Sequence, residues 1–205
     1  MTLALWLGFW VAAVIISVTP GPGAVLSMSS GVNYGYRAAL KAILGLQVAI
    51  LLHLIIVAVG FGALLQTSEV AFNAVKLIGS IYLLWIGFQK WREPVDEVVL
   101  PSLKARPRHL FQQGLLVNLT NPKAILFIAA LVPQFIDMEK PLAMQYLTIA
   151  GTLCMTDIMV MSIYALAAVR LGGWLRQPKA RAIQNQLFGS MFVVAGAFLA
   201  TASHR

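Results

Sequence analysis

Two stretches broken by proline lie inside otherwise apolar segments, one in each half of this 205-residue chain. The first is Thr19-Pro20-Gly21-Pro22-Gly23, and the second is Asn118-Leu119-Thr120-Asn121-Pro122-Lys123. Proline removes a backbone donor and blocks the helix that precedes it. Lipid offers no partner to the carbonyls that are freed, so the protein itself must supply one. Broken helices at matching places in two halves are the sequence pattern that points to a transporter's binding site.

The composition is that of a membrane protein. Apolar residues make up 60% of the chain, charged residues only 11%, and the mean hydropathy is +0.82, whereas soluble domains carry about 25% charged residues. Six segments hold at most one charge each: 1–36, 42–68, 70–89, 110–136, 141–169 and 182–204. A membrane helix needs about 20 apolar residues. We therefore expect an all-α integral membrane protein with about six transmembrane helices, although the first segment could instead re-enter the membrane.

The net charge of +8 is explained by topology. Eleven of the fifteen basic residues lie in alternate connections: Arg37, Lys41, Lys90, Arg92, Lys104, Arg106, Arg108, Arg170, Arg176, Lys179 and Arg181. The positive-inside rule places these connections in the cytoplasm and both termini outside. The expected partner of the basic surplus is therefore the lipid bilayer and not a nucleic acid.

The chain is predicted to be one domain, 1–205, made of two inverted halves of three helices. The first half covers about 1–91 and the second about 110–205, and each begins with a proline-broken helix. The linker at about 92–109 contains Pro94, Pro101 and Pro107, as loops do. The long N-terminal apolar run is predicted to be a span and not a cleaved signal peptide, and a lone Cys154 excludes an intramolecular disulfide.

Two charged residues are predicted to lie near the middle of the bilayer. Lys123 is 13 residues from each end of the segment 110–136, and Asp157 is central in 141–169. A charge at that depth costs about 2.5–3.5 kcal/mol on insertion scales, so it usually serves a purpose. We expect the two residues to line a transport pathway, with Asp157 exchanging a proton. A static ion pair that joins two helices is the alternative.

The breaks could bind both ends of a zwitterion. A half-helix that starts after proline points its first N–H groups and its positive dipole end into the gap, which suits a carboxylate. Freed carbonyls suit an ammonium group or a cation. The predicted substrate-binding residues are Pro20, Gly21, Pro22, Gly23, Asn118, Asn121 and Pro122. Proline kinks that bind no ligand are the alternative, and Gln47, Gln134 and His53 are further polar groups inside the predicted spans.

No enzyme signature is present in the sequence. The chain has no paired cysteines, no metal-spaced histidines, no phosphate loop and no nucleophile elbow. We therefore expect no catalytic residue, no metal and no cofactor. Without a nucleotide site, uphill transport would have to use an ion gradient. A passive channel, a structural membrane subunit and a membrane redox carrier are the other classes considered.

The motifs resemble the LysE/RhtB family of bacterial amino-acid exporters. The resemblance runs from Met1 to about Ala202. It is carried by Thr19-Pro-Gly-Pro-Gly23, Gly35-Tyr-Arg37, Gly45-Leu-Gln47, Tyr82-Leu-Leu-Trp-Ile-Gly87, Asn118-Leu-Thr-Asn-Pro-Lys123 and Pro133-Gln-Phe135. Members of the family often have asparagine where this chain has Gly23.

The resemblance implies a secondary exporter in the bacterial inner membrane. Asn33-Tyr-Gly-Tyr-Arg37 and Phe188-Gly-Ser190 are most similar to the branch that exports homoserine and homoserine lactone. It implies efflux of these compounds, and of threonine or other small neutral amino acids, by proton antiport. Export of a different amino acid, such as leucine or a basic one, remains the alternative. The sequence leaves open whether the chain acts alone or as a homo-oligomer.

Overall fold

The part of the chain that the computed structural model describes is helical and contains no strand. It comprises residues 1–65, 109–137 and 139–175, with scattered helical positions in 77–92 and 182–197. Six helices are continuous there: α1 (Leu3–Val18), α2 (Pro22–Tyr34), α3 (Tyr36–Leu65), α4 (Leu110–Leu119), α5 (Pro122–Leu131) and α6 (Leu142–Leu175), with a 3-10 turn at Val132–Phe135. The prediction of an all-α protein is confirmed for this part of the chain.

Two to four candidate membrane spans are found among the described residues, by length and composition. Tyr36–Gly60 of α3 and Leu142–Arg170 of α6 are each long and apolar enough to cross a bilayer. The pair α1 and α2 is bent by 56°, the pair α4 and α5 by 55°, and each pair would supply one broken span. Most of the predicted third and sixth spans, Lys76 and most of the linker lie outside the described residues. Six spans in two inverted halves therefore stay a prediction.

Local sequence explains where the broken helices stop and restart. Thr19 Oγ1 donates to Ile15 O (2.7 Å), and Thr120 Oγ1 donates to Leu116 O (2.9 Å), so a threonine satisfies a carbonyl at the end of each first half-helix. Pro22 and Pro122 each take the first helical position, where the missing N–H has no helical partner to lose. The two breaks therefore use the same residue types for the same tasks.

A glycine turn folds the first broken span back against the next helix. Gly35 ends α2 with φ +80°, a conformation that residues with a Cβ rarely adopt. The chain then enters α3 at once, with Tyr36 OH donating to Ser162 Oγ on α6 (3.1 Å). At the opposite end, Trp6 Nε1 on α1 donates to Thr152 Oγ1 on α6 (3.0 Å). These bonds fix α6 against both α1 and α3.

Apolar packing is divided into an outer and an inner region, named here from the predicted topology. The outer cluster joins α1, α3, α5 and α6 and includes Phe9, Leu54, Leu131 and Ile149. Two smaller inner clusters centre on Ala24, Ile43, Leu46 and Met161 and on Leu26, Ala42 and Leu110. Both breaks lie between the outer and inner regions.

The faces of α3 and α6 that point away from the other helices are apolar and exposed, as lipid contact requires. On α6, Met144, Leu147, Met155, Met159 and Ile163 are spaced by three, eight, four and four residues, which places them on one helix face, and they are 62–71% exposed. A soluble protein rarely exposes so continuous an apolar stripe. The stripe therefore supports the interpretation that this face of α6 contacts lipid.

Two glycines let α3 and α4 approach backbone to backbone. A Cβ added at Gly45 would overlap Phe111 O, and one at Gly114 would overlap Ala42 O. No rotamer change can relieve these overlaps, because the obstructing atoms are backbone.

We expect Gly45→Ala to destabilise the protein by about 1–3 kcal/mol, the usual penalty for overpacking. Gly60→Ala, on the same helix, is the matched control because a Cβ there would meet nothing within 4 Å. Thermal unfolding in detergent, followed by fluorescence size-exclusion, measures the difference. Equal midpoints for the two variants would contradict the close contact.

Candidate functional site

A cavity lies where the two helix breaks meet α3 and α6. The space between its lining residues is about 490 Å³ when the open solvent at its mouth is included, and about 50 Å³ of this can hold the centre of a water molecule. Its polar lining residues are Ser17, Thr19, Asn118, Asn121, Lys123 and Asp157. The cavity thus brings together residues from both halves of the chain and two opposite charges.

Most of the residues predicted to bind substrate line this cavity. Gly21, Gly23, Asn118 and Asn121 do so, together with the predicted pathway charges Lys123 and Asp157. Pro20, Pro22 and Pro122 do not line it, and Pro22 and Pro122 are exposed. The prolines therefore shape the breaks, and their neighbours provide the surface of the cavity.

The carbonyls freed at the first break are partnered by the second half of the chain. Tyr164 OH on α6 donates to Val18 O (2.6 Å), and Lys123 Nζ on α5 donates to Thr19 O. Cations and donors at a helix C-terminus offset its negative dipole end. The ammonium group that meets these carbonyls is thus the protein's own, which connects the second break to the first.

The start of α2 presents its positive end to the same space. Gly21 precedes the helix and provides no side-chain cap, and Gly23 and Ala24 line the cavity. A Cβ at Gly21 would lie 3.4 Å from Lys123 Nζ, so the ammonium group lies directly across the break. An uncapped helix start beside a lysine is a favourable environment for an anionic group.

The two asparagines of the second break mainly hold the break in shape. Asn118 Nδ2 donates to Leu46 O on α3 (3.0 Å), and its Oδ1 accepts from Asn121 Nδ2 (3.2 Å). Asn121 Oδ1 caps α5 by accepting from the Lys123 backbone N–H (3.1 Å). Each side chain already has both ends engaged, so both are better placed to position Lys123 than to give up these bonds to a ligand.

Asp157 is held from α3 by a glutamine. Gln47 Nε2 donates to Asp157 Oδ2 (2.7 Å) and also reaches Ile43 O (3.3 Å). A charged hydrogen bond of this length is stronger than a neutral one. The carboxylate is therefore fixed at the wall of the cavity that also contains Lys123.

Three contributors were missed or given no role by sequence reasoning. Ser17 lines the cavity, Tyr164 caps the first break, and Gln47 orients Asp157. Tyr164 follows Asp157 by seven residues, two helical turns on one face, so its position was a usable signal. His53 is buried on α3 but does not line the cavity.

Comparison with known proteins gives full-length matches. The model of the family described as LysE type translocator matches residues 14–203. The homoserine/homoserine lactone efflux protein of Salmonella typhi is 41% identical over 206 residues, covering all of both chains. An uncharacterized membrane protein of Vibrio cholerae is 41% identical over 203 residues, 98% of this chain and 99% of the relative. The leucine efflux protein of Enterobacter sp. (strain 638) is 31% identical over 202 residues, 95% and 96% of the two chains. No solved structure matches.

Proposed function

Because the chain belongs to the LysE type translocator family, whose members are membrane transporters and not enzymes, we propose that it exports small neutral amino acids. The proposed substrates are homoserine and homoserine lactone first, and threonine second. The proposed driving force is the proton gradient across the bacterial inner membrane. Transport would follow alternating access, with substrate entering the cavity from the cytoplasm and leaving outside.

The observation that carries the proposal is the cavity beside the two breaks, which holds opposite charges from the second break and from α6. Lys123 and the uncapped start of α2 form a positive side, and Asp157 forms a negative side. An amino acid is a zwitterion and needs both. Because each charge is costly inside a membrane, a cavity that keeps one of each is better explained by a ligand that carries both signs than by packing.

The choice of substrate rests on similarity. The Salmonella relative named for homoserine and its lactone is 41% identical over its full length, and the relative named for leucine is 31% identical. Leucine or a basic amino acid is the second candidate, and Lys123 in the cavity disfavours the basic one.

A resistance assay tests the proposed function. The chain is expressed in bacteria that lack their own exporters, and growth is measured on inhibitory homoserine, homoserine lactone, threonine, leucine and lysine. We expect a raised inhibitory concentration for the first two, a smaller rise for threonine and none for lysine. Protection against lysine or leucine alone would contradict the proposed substrates.

Energised membrane vesicles separate an exporter from a passive channel. Vesicles loaded with labelled homoserine should expel it against its gradient while a pH gradient is present. Collapsing that gradient with a protonophore should stop uphill efflux. Continued downhill release with no uphill phase under either condition would favour a channel.

A further inference from the structure

We propose that Asp157 and Ser17 form a subsite for a primary ammonium group, that Gln47 is a positioning residue for Asp157, and that substrate and proton compete for this one carboxylate. The inference rests on the proposed export of an amine-bearing substrate. Beyond the proposed function, it specifies which group of the substrate is recognised and how substrate binding is coupled to proton binding.

Two buried polar atoms near the carboxylate make no hydrogen bond of regular geometry among the described residues, although the Ser17 side chain does interact with Asp157. They are Ser17 Oγ and Gln47 Oε1, on side chains that are only 3% and 5% exposed. Buried polar groups nearly always have a partner, and an orphan calls for an explanation such as water, an ion or a ligand. Ser17 is one of the residues that line the cavity, on the same side as Asp157.

The groups around this corner of the cavity are mostly acceptors. Gln47 Nε2 donates to Asp157 Oδ2 at 2.7 Å, so the amide orientation is fixed and its oxygen is turned away from the carboxylate. Asp157 accepts only, and the Ser17 hydroxyl can accept as well as donate. A primary ammonium group carries three donors and one positive charge. It therefore matches this corner better than a carboxylate or a hydroxyl does.

The proposed substrates also differ in a way that identifies their common group. Homoserine has an ammonium and a carboxylate, whereas homoserine lactone has the ammonium but no free carboxylate. A site that accepts both must recognise the ammonium group in each case. Lys123 and the start of α2 can contact the carboxylate of the open acid only.

Competition follows from the number of carboxylates in the cavity. Asp157 is the acidic residue among those that line it. The other titratable or charged residues on the described helices are Lys123 on α5, Tyr34 on α2, Tyr36, Arg37, Lys41 and His53 on α3, and Tyr146, Cys154, Tyr164 and Arg170 on α6; α1 and α4 carry none, and of these residues only Lys123 lines the cavity with Asp157. A proton on Asp157 removes the charge that attracts the ammonium. A more acidic exterior would release substrate there, and deprotonation on the cytoplasmic side would restore binding, which is proton antiport.

Calorimetry on the full chain in lipid nanodiscs tests this. Homoserine and homoserine lactone are titrated at several pH values and in two buffers of different ionisation enthalpy, with N-acetylhomoserine as the blocked-amine control. We expect affinity to fall about tenfold per pH unit once the carboxyl is protonated, with about one proton released per substrate bound. N-acetylhomoserine should not bind.

Three variants and one control test the role of each residue in the subsite. Asp157→Asn should abolish proton release and binding of both ligands. Ser17→Ala should weaken both by about tenfold, the loss of one hydrogen bond to a charged group. Ser30→Ala is its matched control, since Ser30 Oγ is equally buried and likewise makes no hydrogen bond of regular geometry among the described residues but does not line the cavity. Gln47→Met should move the half-loss of binding to higher pH, because it removes a donor to the ionised carboxylate.

The results distinguish this inference from the proposed function. If the wild-type protein binds neither ligand, the proposed substrates are wrong and the inference fails with them. If it binds them but Asp157→Asn keeps their affinity and pH dependence, or N-acetylhomoserine binds as well as homoserine, the ammonium subsite is overturned and export stands. Equal effects of Ser17→Ala and Ser30→Ala would remove Ser17 from the subsite.

Discussion

Asp157→Asn is expected to reduce uphill efflux from energised vesicles to the background of vesicles without the protein. Asparagine keeps the size of the side chain and can still accept from Gln47, but it can neither carry a proton nor balance the charge of Lys123 in the cavity. The protein should still insert, because a neutral group is less costly than a carboxylate at that depth. The measurement is labelled-homoserine efflux under an imposed pH gradient, normalised to protein in the membrane.

Asp137→Asn is the matched control for that result. Asp137 lies between the 3-10 turn and α6 and forms a salt bridge of 2.7 Å with Lys140. The hydrogen bond from Lys140 lowers the pKa of the Asp137 carboxyl. This group therefore stays ionised near neutral pH and does not take up and release a proton there. We expect efflux within about twofold of wild type, as for a surface pair. The same efflux from Asp157→Asn as from Asp137→Asn would contradict a role of Asp157 in coupling.

The breaks could be predicted because proline and glycine act locally. Proline favours the first position of a helix, and the structure begins α2 at Pro22 and α5 at Pro122. The apolar runs likewise require helices in lipid. Fold class and the positions of the breaks follow from such short-range rules, as does the central depth of Lys123 and Asp157 in their segments.

The partners across the site could not be predicted, since they lie far apart along the chain. Lys123 reaches Thr19 over 104 positions, Gln47 reaches Asp157 over 110, and Asn118 reaches Leu46 over 72. Periodicity gives the face on which a residue lies but not the helix that this face meets. From the sequence, the carbonyls of the first break and the asparagine side chains of the second are predicted to be available to a ligand. In the structure, these groups form hydrogen bonds between the two halves of the chain.

The same contacts change how the two breaks divide their tasks. The sequence predicts that the breaks bind the two ends of a zwitterion and that Lys123 and Asp157 line the pathway. With Lys123 Nζ on Thr19 O, the lysine of the second break forms part of the first. Carboxylate binding and any movement of α5 are then linked, because a substrate carboxylate at the start of α2 would compete with Thr19 O for the same ammonium group.

Lys123→Met is expected to cut homoserine efflux by about tenfold or more, since a charged hydrogen bond to the substrate is lost. Lys123 both caps α1 and faces the cavity, so a loss of efflux in Lys123→Met has two possible causes. A variant that removes a cap of α1 but leaves the cavity lining unchanged tells them apart. Tyr164→Phe does this, because Tyr164 OH caps Val18 O at 2.6 Å and the side chain does not line the cavity.

We expect Tyr164→Phe to lower stability by about 1 kcal/mol, the net value of one hydrogen bond, and to leave efflux per folded molecule near wild type. Thermal unfolding in detergent and efflux normalised to folded protein should therefore rank the two variants differently. If Tyr164→Phe loses as much efflux as Lys123→Met, the contribution of Lys123 is that of a cap alone. If Lys123→Met loses only stability, the positive side of the cavity must lie elsewhere, and the zwitterion site would be reduced to its acidic half.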